Sequence, residues 1–169
     1  AVVAAICALK GPLHGGAADK SQEMLVAIGT AENAEPWIRA TLASGGRLMG
    51  FGHRAYKTTD PRAEELREMA RHADPIGFAF ARHIEELSIA ILEETKPGRR
   101  LYTNVDFYSA VLLNSVGIPV DLFTPTFAVA RIAGWTAHIL EQAANNRLIR
   151  PLAAYTGPAS LPFVPLDQR

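Results

Sequence analysis

Glycine and proline divide this sequence into segments of helical length, and that punctuation favours a helical fold. Between Gly16 and Gly29, the apolar residues Met24, Leu25 and Ile28 recur at the spacing of one helix face. Five further segments predict helices by the same criteria: 34–44, 61–71, 76–95, 104–115 and 124–144. Because no heptad repeat persists, the fold class is predicted to be all-α, as a packed multi-helix assembly rather than a coiled coil.

The rest of the chain gives little sign of a sheet. Apolar and polar residues alternate only weakly, near 153–156. From Gly157 onward, Pro158, Pro162 and Pro165 predict an extended tail.

The composition fits a globular protein and excludes several other classes. Of the 169 residues, 49% are hydrophobic and 20% are charged, and the formal net charge is zero, so no nucleic-acid partner is expected. Cys7 is the only cysteine, which excludes an internal disulfide and favours a reducing, cytoplasmic location. The apolar start at 1–9 is too short to span a membrane, and no membrane partner is expected. Because the chain begins inside an apolar run, we expect residues before Ala1.

Residues 50–62, GFGHRAYKTTDPR, carry the strongest functional signal. Glycines at 50 and 52 allow the backbone to approach a ligand closely. Between them and the following helix lies His53, a residue type that polarises carbonyls or transfers protons near neutral pH. Arg62 can bind a carboxylate through two parallel hydrogen bonds. The segment predicts an anionic, carbonyl-bearing substrate; the alternative is a turn with exposed basic residues.

A second candidate is His14, which lies in KGPLHGG at the predicted start of a helix. The helix dipole and the unpaired N–H groups at that end disfavour protonation of an imidazole. A neutral imidazole there can donate a hydrogen bond to a carbonyl that is becoming an enolate. The alternative is a tight turn, made by the glycines and the proline, that His14 merely caps.

The third candidate is Asp106, in the sequence NVDFYS. Its neighbours Val105, Phe107 and Tyr108 would desolvate the carboxylate and make it a stronger base, which suits proton abstraction. The alternative is that Asn104 or Asp106 caps the helix that follows.

Three arginines in the C-terminal part of the sequence, Arg131, Arg147 and Arg150, are further candidates. Arg131 is inside the apolar segment 124–144, where a charge needs a partner unless the side chain extends to solvent. Arg147 and Arg150 follow that segment. The alternative for these two is an ordinary charge near a helix C-terminus, where the helix dipole favours cations.

The other histidines predict no metal site, because none has a ligand-like companion at close spacing. His138 is assigned to the core or to an interface. The sequence also lacks the glycine motifs of dinucleotide-binding and phosphate-binding loops.

The segments around His14, at 50–62 and around Asp106 occur together and in this order. In combination they resemble the three catalytic segments of the citrate synthase family. The sequence FTPTFAVARIAGW around Arg131 and the sequence NRLIRP around Arg150 resemble the last helices of that family. The similarity therefore covers the whole chain.

The resemblance implies that acetyl-CoA condenses with oxaloacetate to give citrate and CoA, with the CoA thioester as substrate and no permanently bound cofactor. Asp106 would remove a methyl proton from the thioester, and His14 would donate a hydrogen bond to the thioester oxygen. His53 would polarise the ketone of oxaloacetate and assist hydrolysis of citryl-CoA. Arg62 and Arg131 would hold substrate carboxylates.

Further positions are implied to bind CoA or the partner subunit. Lys57 would contact a phosphate of CoA, and Gly50, Phe51 and Gly52 would lie near its adenine. Arg150 matches a position that reaches into the site of the partner subunit. Two alternatives stay open: a 2-methylcitrate synthase that uses propionyl-CoA, and a non-catalytic module that binds CoA.

The resemblance also implies two helical domains, the smaller of which closes over the substrates. Residues 17–116 would form the small domain, while 1–16 and 117–169 would belong to the large one. A homodimer is implied, with the proline-rich tail lying on the partner. Family chains are much longer on the N-terminal side, so this chain is expected to be a fragment that is inactive alone. One departure from the family pattern is Ala18-Asp19, where the family commonly has Asn-Glu.

Overall fold

The structure, a computed structural model, describes residues 1–11 and 16–169, and within them every regular element is a helix. The all-α prediction is confirmed. No helix in this part of the chain is long and apolar enough to cross a membrane. The α-helices are α1 (Val2–Lys10), α2 (Ala17–Ile28), α3 (Ala31–Ala43), α4 (Pro61–Ala73), α5 (Pro75–Thr95), α6 (Val105–Ser115) and α7 (Phe123–Ala144), with short 3-10 turns at Val120–Leu122 and Leu166–Gln168.

Helix α1 was not predicted from the sequence; the bounds of the other six α-helices lie within about a turn of those predicted. The largest difference at a predicted start is at α3, which begins at Ala31 rather than at 34. Thr30 precedes it in extended backbone without a side-chain capping bond, so the sequence signal for this start is weak. The weak strand predicted near 153–156 is wrong, because these residues have no regular structure and the described residues offer no strand for pairing.

Two helices begin at the same kind of signal, an aspartate followed by proline. Asp60 caps α4, where its side chain accepts the N–H of Arg62 at 3.0 Å. Asp74 caps α5 and accepts the N–H of Gly77 at 2.9 Å. Proline suits the first helical position because its missing N–H has no partner there in any case. These caps explain why the chain turns sharply before each helix.

The larger hydrophobic core lies where α2, α3, α5 and α6 meet. Helix α6 packs against both α2 and α4, and its Phe107 and Tyr108 are fully buried. A smaller cluster joins Ala18, Ala110 and Phe123, which links α2 and α6 to the start of α7. Helix α1 packs along α7. The beginning of α6 therefore lies where the two clusters approach each other.

The loop at 50–52 is fastened to the segment at 102–104, just before α6. The two segments meet in an isolated antiparallel bridge. The N–H of Gly52 donates to this segment at 2.7 Å, and the N–H of Asn104 donates to the carbonyl of Gly50 at 2.9 Å. The side-chain amide of Asn104 also donates to the carbonyl of Gly52 at 2.9 Å. Backbone bonds thus hold two segments together that are about 50 residues apart in sequence.

We predict that Gly50→Ala destabilises the protein more than Gly45→Ala does. Both glycines have left-handed backbone, with φ of +83° and +80°, which costs a substituted alanine about 1 kcal/mol or more. A Cβ at Gly50 would also lie 2.6 Å from the Cβ of Phe107, whereas no described atom lies within 4 Å of one at Gly45. The overlap adds about 1–3 kcal/mol. Chemical denaturation measures both costs, and equal costs would show that Gly50 is not tightly packed.

Candidate active site

His53 is oriented by the backbone that follows it. Its Nδ1 accepts the N–H groups of Ala55 and Tyr56, each at 3.1 Å. An imidazole nitrogen that accepts hydrogen bonds carries no proton, so we infer that the proton of His53 is on Nε2. The ring of Tyr56 lies against the imidazole, with the centroids 4.7 Å apart. His53 is exposed, and in this tautomer its Nε2 would be a hydrogen-bond donor.

Arg62 is held by the same aspartate that caps its helix. Its Nε donates to Oδ1 of Asp60 at 3.0 Å, and its Nη2 donates to Oδ2 at 2.7 Å. The side chain of Asp60 is 1% exposed, whereas that of Arg62 is 47% exposed. A bidentate pair of this kind fixes the plane of the guanidinium as well as its position. One face of the charged group is thereby left to solvent.

The charges around Arg62 shift two pKa values. Hydrogen bonding to Arg62 is the main cause that lowers the pKa of Asp60, and it outweighs the effect of burial. The pKa of Arg62 is raised, chiefly by its hydrogen bond to Asp60, with smaller contributions from the charges of Asp60, Tyr56 and Asp106. The effect of Asp106 on the pKa of Arg62 links the start of α4 to the start of α6.

The side chains of His53 and Arg62 lie close together. Nη2 of Arg62 lies 3.3 Å from Nε2 of His53. If Nε2 carries the proton, both atoms are donors and neither can satisfy the other. A ligand oxygen, from a carbonyl or a carboxylate, is the acceptor that both can share. The turn is exposed, as the alternative reading required, but its basic groups are organised around a common point.

Asp106 lies in the first turn of α6 and is half-buried. Asn104 is the N-cap and accepts the N–H of Asp106 at 2.9 Å, so the capping alternative holds for Asn104 rather than for Asp106. The apolar surroundings expected from Phe107 and Tyr108 come from elsewhere, because both of these rings are buried in the larger core. The cavity beside Asp106 is lined instead by residues of α1, the start of α2, and α7: Leu9, Gly16, Ala17, Ala18, Thr124, Phe127 and Arg131.

Arg131 and Asp106 line the same small cavity, which has a volume of about 20 Å³. Arg131 is half-buried, and its guanidinium lies 5.6 Å from the centroid of the Phe127 ring. A cation over an aromatic face is partly compensated for its loss of water. The cavity thus combines apolar walls, a carboxylate and a cation.

The remaining predicted residues lie outside this cavity. His14 lies outside the described residues, although Gly16 lines the cavity wall. Lys57 is exposed and donates to the carbonyl of Arg54 at 3.2 Å. Arg150 is exposed on the segment that follows α7.

Other side chains differ from expectation or fill the core. Phe51 is half-buried, with its ring 5.2 Å from that of Phe107, so its side chain packs as part of the core. His138 was assigned to the core or to an interface; it does not lie in the core, because its side chain is 83% exposed. Among the residues that the structure describes, no group of three or more His, Cys, Asp or Glu side chains is placed to hold a metal ion.

The contact that Asp19 makes with the start of α7 was not predicted from the sequence. This residue stands in the Ala18-Asp19 pair that departs from the family pattern. Its carboxylate accepts the N–H of Thr124 at 3.1 Å and the hydroxyl of Thr124 at 3.0 Å, at the start of α7. A carboxylate is favoured at a helix N-terminus, so Asp19 ties α2 to α7 beside the cavity. No local sequence signal could have revealed a contact across 105 residues.

The comparisons with known proteins agree with one another. A family model described as citrate synthase, C-terminal domain, matches residues 1–152. Citrate synthase 2 of Bacillus subtilis is 53% identical over 168 residues, which are 99% of this chain and 45% of that protein. Citrate synthase of Synechocystis is 44% identical over an alignment of 173 positions, which covers 99% of this chain and 43% of that protein. The chain therefore spans about half the length of the curated relatives that it matches.

Solved structures show the same similarity. The citrate synthase of Thermoplasma acidophilum, in a ternary complex with carboxymethyl coenzyme A and oxaloacetate, matches with a TM-score of 0.85 and 37% identity, over 99% of this chain and 46% of that one. The citrate synthase of Thermotoga maritima matches with a TM-score of 0.83 and 42% identity, over 99% and 46% of the two chains.

We predict that Asp60→Asn lowers stability near neutral pH and that its effect fades in acid. Asparagine still caps α4, so the change removes mainly the charge. Because the folded pKa lies below the ordinary value of 3.8, the carboxylate stabilises the fold above about pH 4 and loses that effect as pH falls through the folded pKa. At pH 7 we expect a loss of about 1–2 kcal/mol, a range that allows for the half-exposed Arg62.

The matched control is Asp74→Asn, at the other aspartate–proline cap, where the carboxylate accepts a backbone N–H. Urea denaturation between pH 3 and pH 7 should give nearly the same stability for this variant and the unmodified protein. Equal losses at the two caps, or a loss at Asp60 that does not change with pH, would contradict the assigned role of Arg62.

Proposed function

The chain belongs to the citrate synthase family, and from that premise we propose that its protein condenses acetyl-CoA with oxaloacetate and water to give citrate and CoA. The observation that carries the proposal is the convergence of His53 and Arg62, whose nitrogen atoms lie 3.3 Å apart. A relative that was solved with oxaloacetate and a CoA analogue supports the choice of substrates. The CoA thioester is a substrate, and the reaction requires no resident cofactor.

The donor pair suits an α-keto acid. In oxaloacetate a ketone stands next to a carboxylate, so oxygen atoms of both groups can reach donors that lie a few ångströms apart. We assign the ketone oxygen to Nε2–H of His53 and a carboxylate oxygen to the guanidinium of Arg62. Hydrogen bonding at the ketone makes its carbon more electrophilic and stabilises the alkoxide that forms on attack. Arg62 needs no rearrangement to bind, because Asp60 already holds it.

The cavity beside Asp106 suits the acyl group. Its apolar lining has room for little more than a small group such as methyl, and its carboxylate can take the proton on the carbon next to the thioester carbonyl. His14 would donate a hydrogen bond to the resulting enolate oxygen. The enolate carbon then attacks the ketone carbon, and His53 assists as water hydrolyses the thioester and releases the thiol of CoA. Arg131 would hold a second carboxylate.

Further parts of the site come from the proposed assembly. Residues 17–116 would form a small domain that closes over the substrates, against 1–16 and 117–169 in a large one. Lys57 would bind a phosphate of CoA, with Gly50, Phe51 and Gly52 near the adenine. In a cytoplasmic homodimer, Arg150 and the tail would reach the partner subunit. A chain of only these 169 residues would be inactive, since the curated relatives are about twice as long.

We predict that Asp106→Asn in the full-length protein lowers kcat by at least about 100-fold, because a general base contributes on this scale. The measurement is the oxaloacetate-dependent release of free CoA thiol. Glu35→Gln, which removes one exposed carboxylate from α3, is the control and should retain normal turnover. Near-normal turnover by Asp106→Asn would show that Asp106 is not the base.

We predict a higher kcat/KM for acetyl-CoA than for propionyl-CoA. The two substrates differ by one methylene, which is worth only about 1–3 kcal/mol in an acyl pocket, so the ratio has to be measured directly. A strong preference for propionyl-CoA would assign the protein as a 2-methylcitrate synthase. Binding of CoA by a folded full-length protein without thiol release from either substrate would instead indicate a non-catalytic module.

A further inference from the structure

Glu85 of α5 is a buried carboxylate with a full set of hydrogen bonds. Its side chain is 1% exposed. Oε1 accepts from the hydroxyl of Thr103 at 2.6 Å and from Arg67 at 2.6 Å. Oε2 accepts from the hydroxyl of Tyr108 at 2.5 Å and from Arg82 at 2.9 Å. A carboxylate has about four lone-pair sites, so these four bonds replace the water that burial removed.

The environment keeps this carboxylate ionised. Burial alone would raise the pKa of Glu85, but hydrogen bonds from Thr103, Tyr108 and Arg67 outweigh it and lower the pKa below the ordinary value. Burial and the hydrogen bond to Glu85 both raise the pKa of Tyr108, so its hydroxyl remains a donor. The guanidinium of Arg67 also lies 5.2 Å from the centroid of the Tyr108 ring. Glu85 is therefore an acceptor in this cluster, and the hydroxyl of Tyr108 is a donor.

One partner of Glu85 fastens the loop that carries His53. Thr103 forms the antiparallel bridge with Phe51, and the bonds of Gly52 and Asn104 lie on either side of it. His53 is the next residue after Gly52. The hydroxyl of Thr103 donates its bond to Glu85 from the middle of this bridged segment. A shift of Glu85 would therefore be transmitted to the loop through a bonded backbone.

Two other partners lie on the helices that carry the remaining candidates. Arg67 is on α4, little more than one turn after Arg62. Tyr108 is on α6, two residues after Asp106. Helices α4 and α6 also pack directly against each other. Glu85 thus contacts all three elements that would bring the reacting groups together.

We infer that Glu85 is a positioning residue, which touches no substrate but fixes the His53 loop, the Arg62 helix and the Asp106 helix relative to one another. The inference rests on the proposed function for its catalytic consequence. A buried ion cluster adds little net stability compared with apolar side chains of similar volume, whereas its directional bonds define one arrangement of the groups around it.

The test compares Glu85→Gln with Ile91→Ala in the full-length protein. Ile91 is on the same helix and 2% exposed, so its truncation destabilises the core without touching the cluster. Both are assayed at a temperature at which circular dichroism shows them folded. We expect kcat of Glu85→Gln to fall at least about tenfold, because small misplacements of reacting groups are costly. Ile91→Ala should keep a normal kcat.

A second readout is independent of turnover. Hydrogen exchange at the amides of Gly52 and Asn104 reports the bonds between the loop and the segment before α6. Exchange at both should accelerate in Glu85→Gln and stay unchanged in Ile91→Ala. If the unmodified protein condenses no acyl-CoA, the proposed function fails, while exchange still decides whether Glu85 holds the loop. Normal exchange, or faster exchange with undiminished kcat in an active protein, would overturn the inference.

Thr103→Val gives the same test if Glu85→Gln does not fold. It leaves Glu85 its bonds from Arg67, Arg82 and Tyr108 and removes only the link to the loop segment. Faster exchange at Gly52 and Asn104, with a several-fold lower kcat, would support the inference. A folded Thr103→Val protein with normal exchange and normal kcat would contradict it.

Discussion

Hydrogen bonds to the buried carboxylate of Glu85 connect the elements that carry His53, Arg62 and Asp106, and we infer that the arrangement of the candidate site depends on them. The carboxylate joins α5 to α4, to α6 and to the segment before α6 through hydrogen bonds from Arg67, Tyr108 and Thr103. A fourth bond comes from Arg82, which is on α5 itself. Apolar packing would allow these helices to slide by small amounts at little cost, whereas directional bonds to one ionised group do not. The same segment holds the loop at 50–52, so the rigidity of the interior extends to an exposed part of the surface.

The two halves of the candidate site have opposite surroundings, and the proposed chemistry needs both. His53 and Arg62 lie on an exposed loop and helix start, where a dianionic substrate can arrive in water. Asp106 lies beside a small cavity that is lined by apolar side chains together with Thr124 and Arg131, and the proposed proton transfer would take place there. The fold brings the two halves near each other because Arg62 is at the start of α4 and Asp106 is at the start of α6, and these two helices pack together. Closure of a second domain would then enclose the exposed half.

The sequence was sufficient for features that depend on neighbouring residues. Prolines and glycines indicated where most of the helices begin and end, and three short segments in a fixed order indicated the family. Both signals are local in the sequence. The start of α3 was misplaced because Thr30 makes no capping bond. The apolar setting of Asp106 was assigned to Phe107 and Tyr108, although helices distant in sequence provide it. The cluster around Glu85 could not be predicted from the sequence, because three of its four partners lie 18 or 23 residues away on separate elements.

We propose that His53 and Arg62 present two converging donors to one ligand, which requires the proton of His53 to be on Nε2, with Nδ1 accepting from the backbone. The most direct measurement is a long-range ¹H–¹⁵N correlation spectrum of the full-length protein with labelled histidine, recorded near neutral pH without and with oxaloacetate. We expect a protonated Nε2 and an unprotonated Nδ1 in both spectra, and we expect the Nε2 signal to move when oxaloacetate binds. A proton on Nδ1, or an Nε2 signal that does not move when oxaloacetate is added, would contradict the proposal.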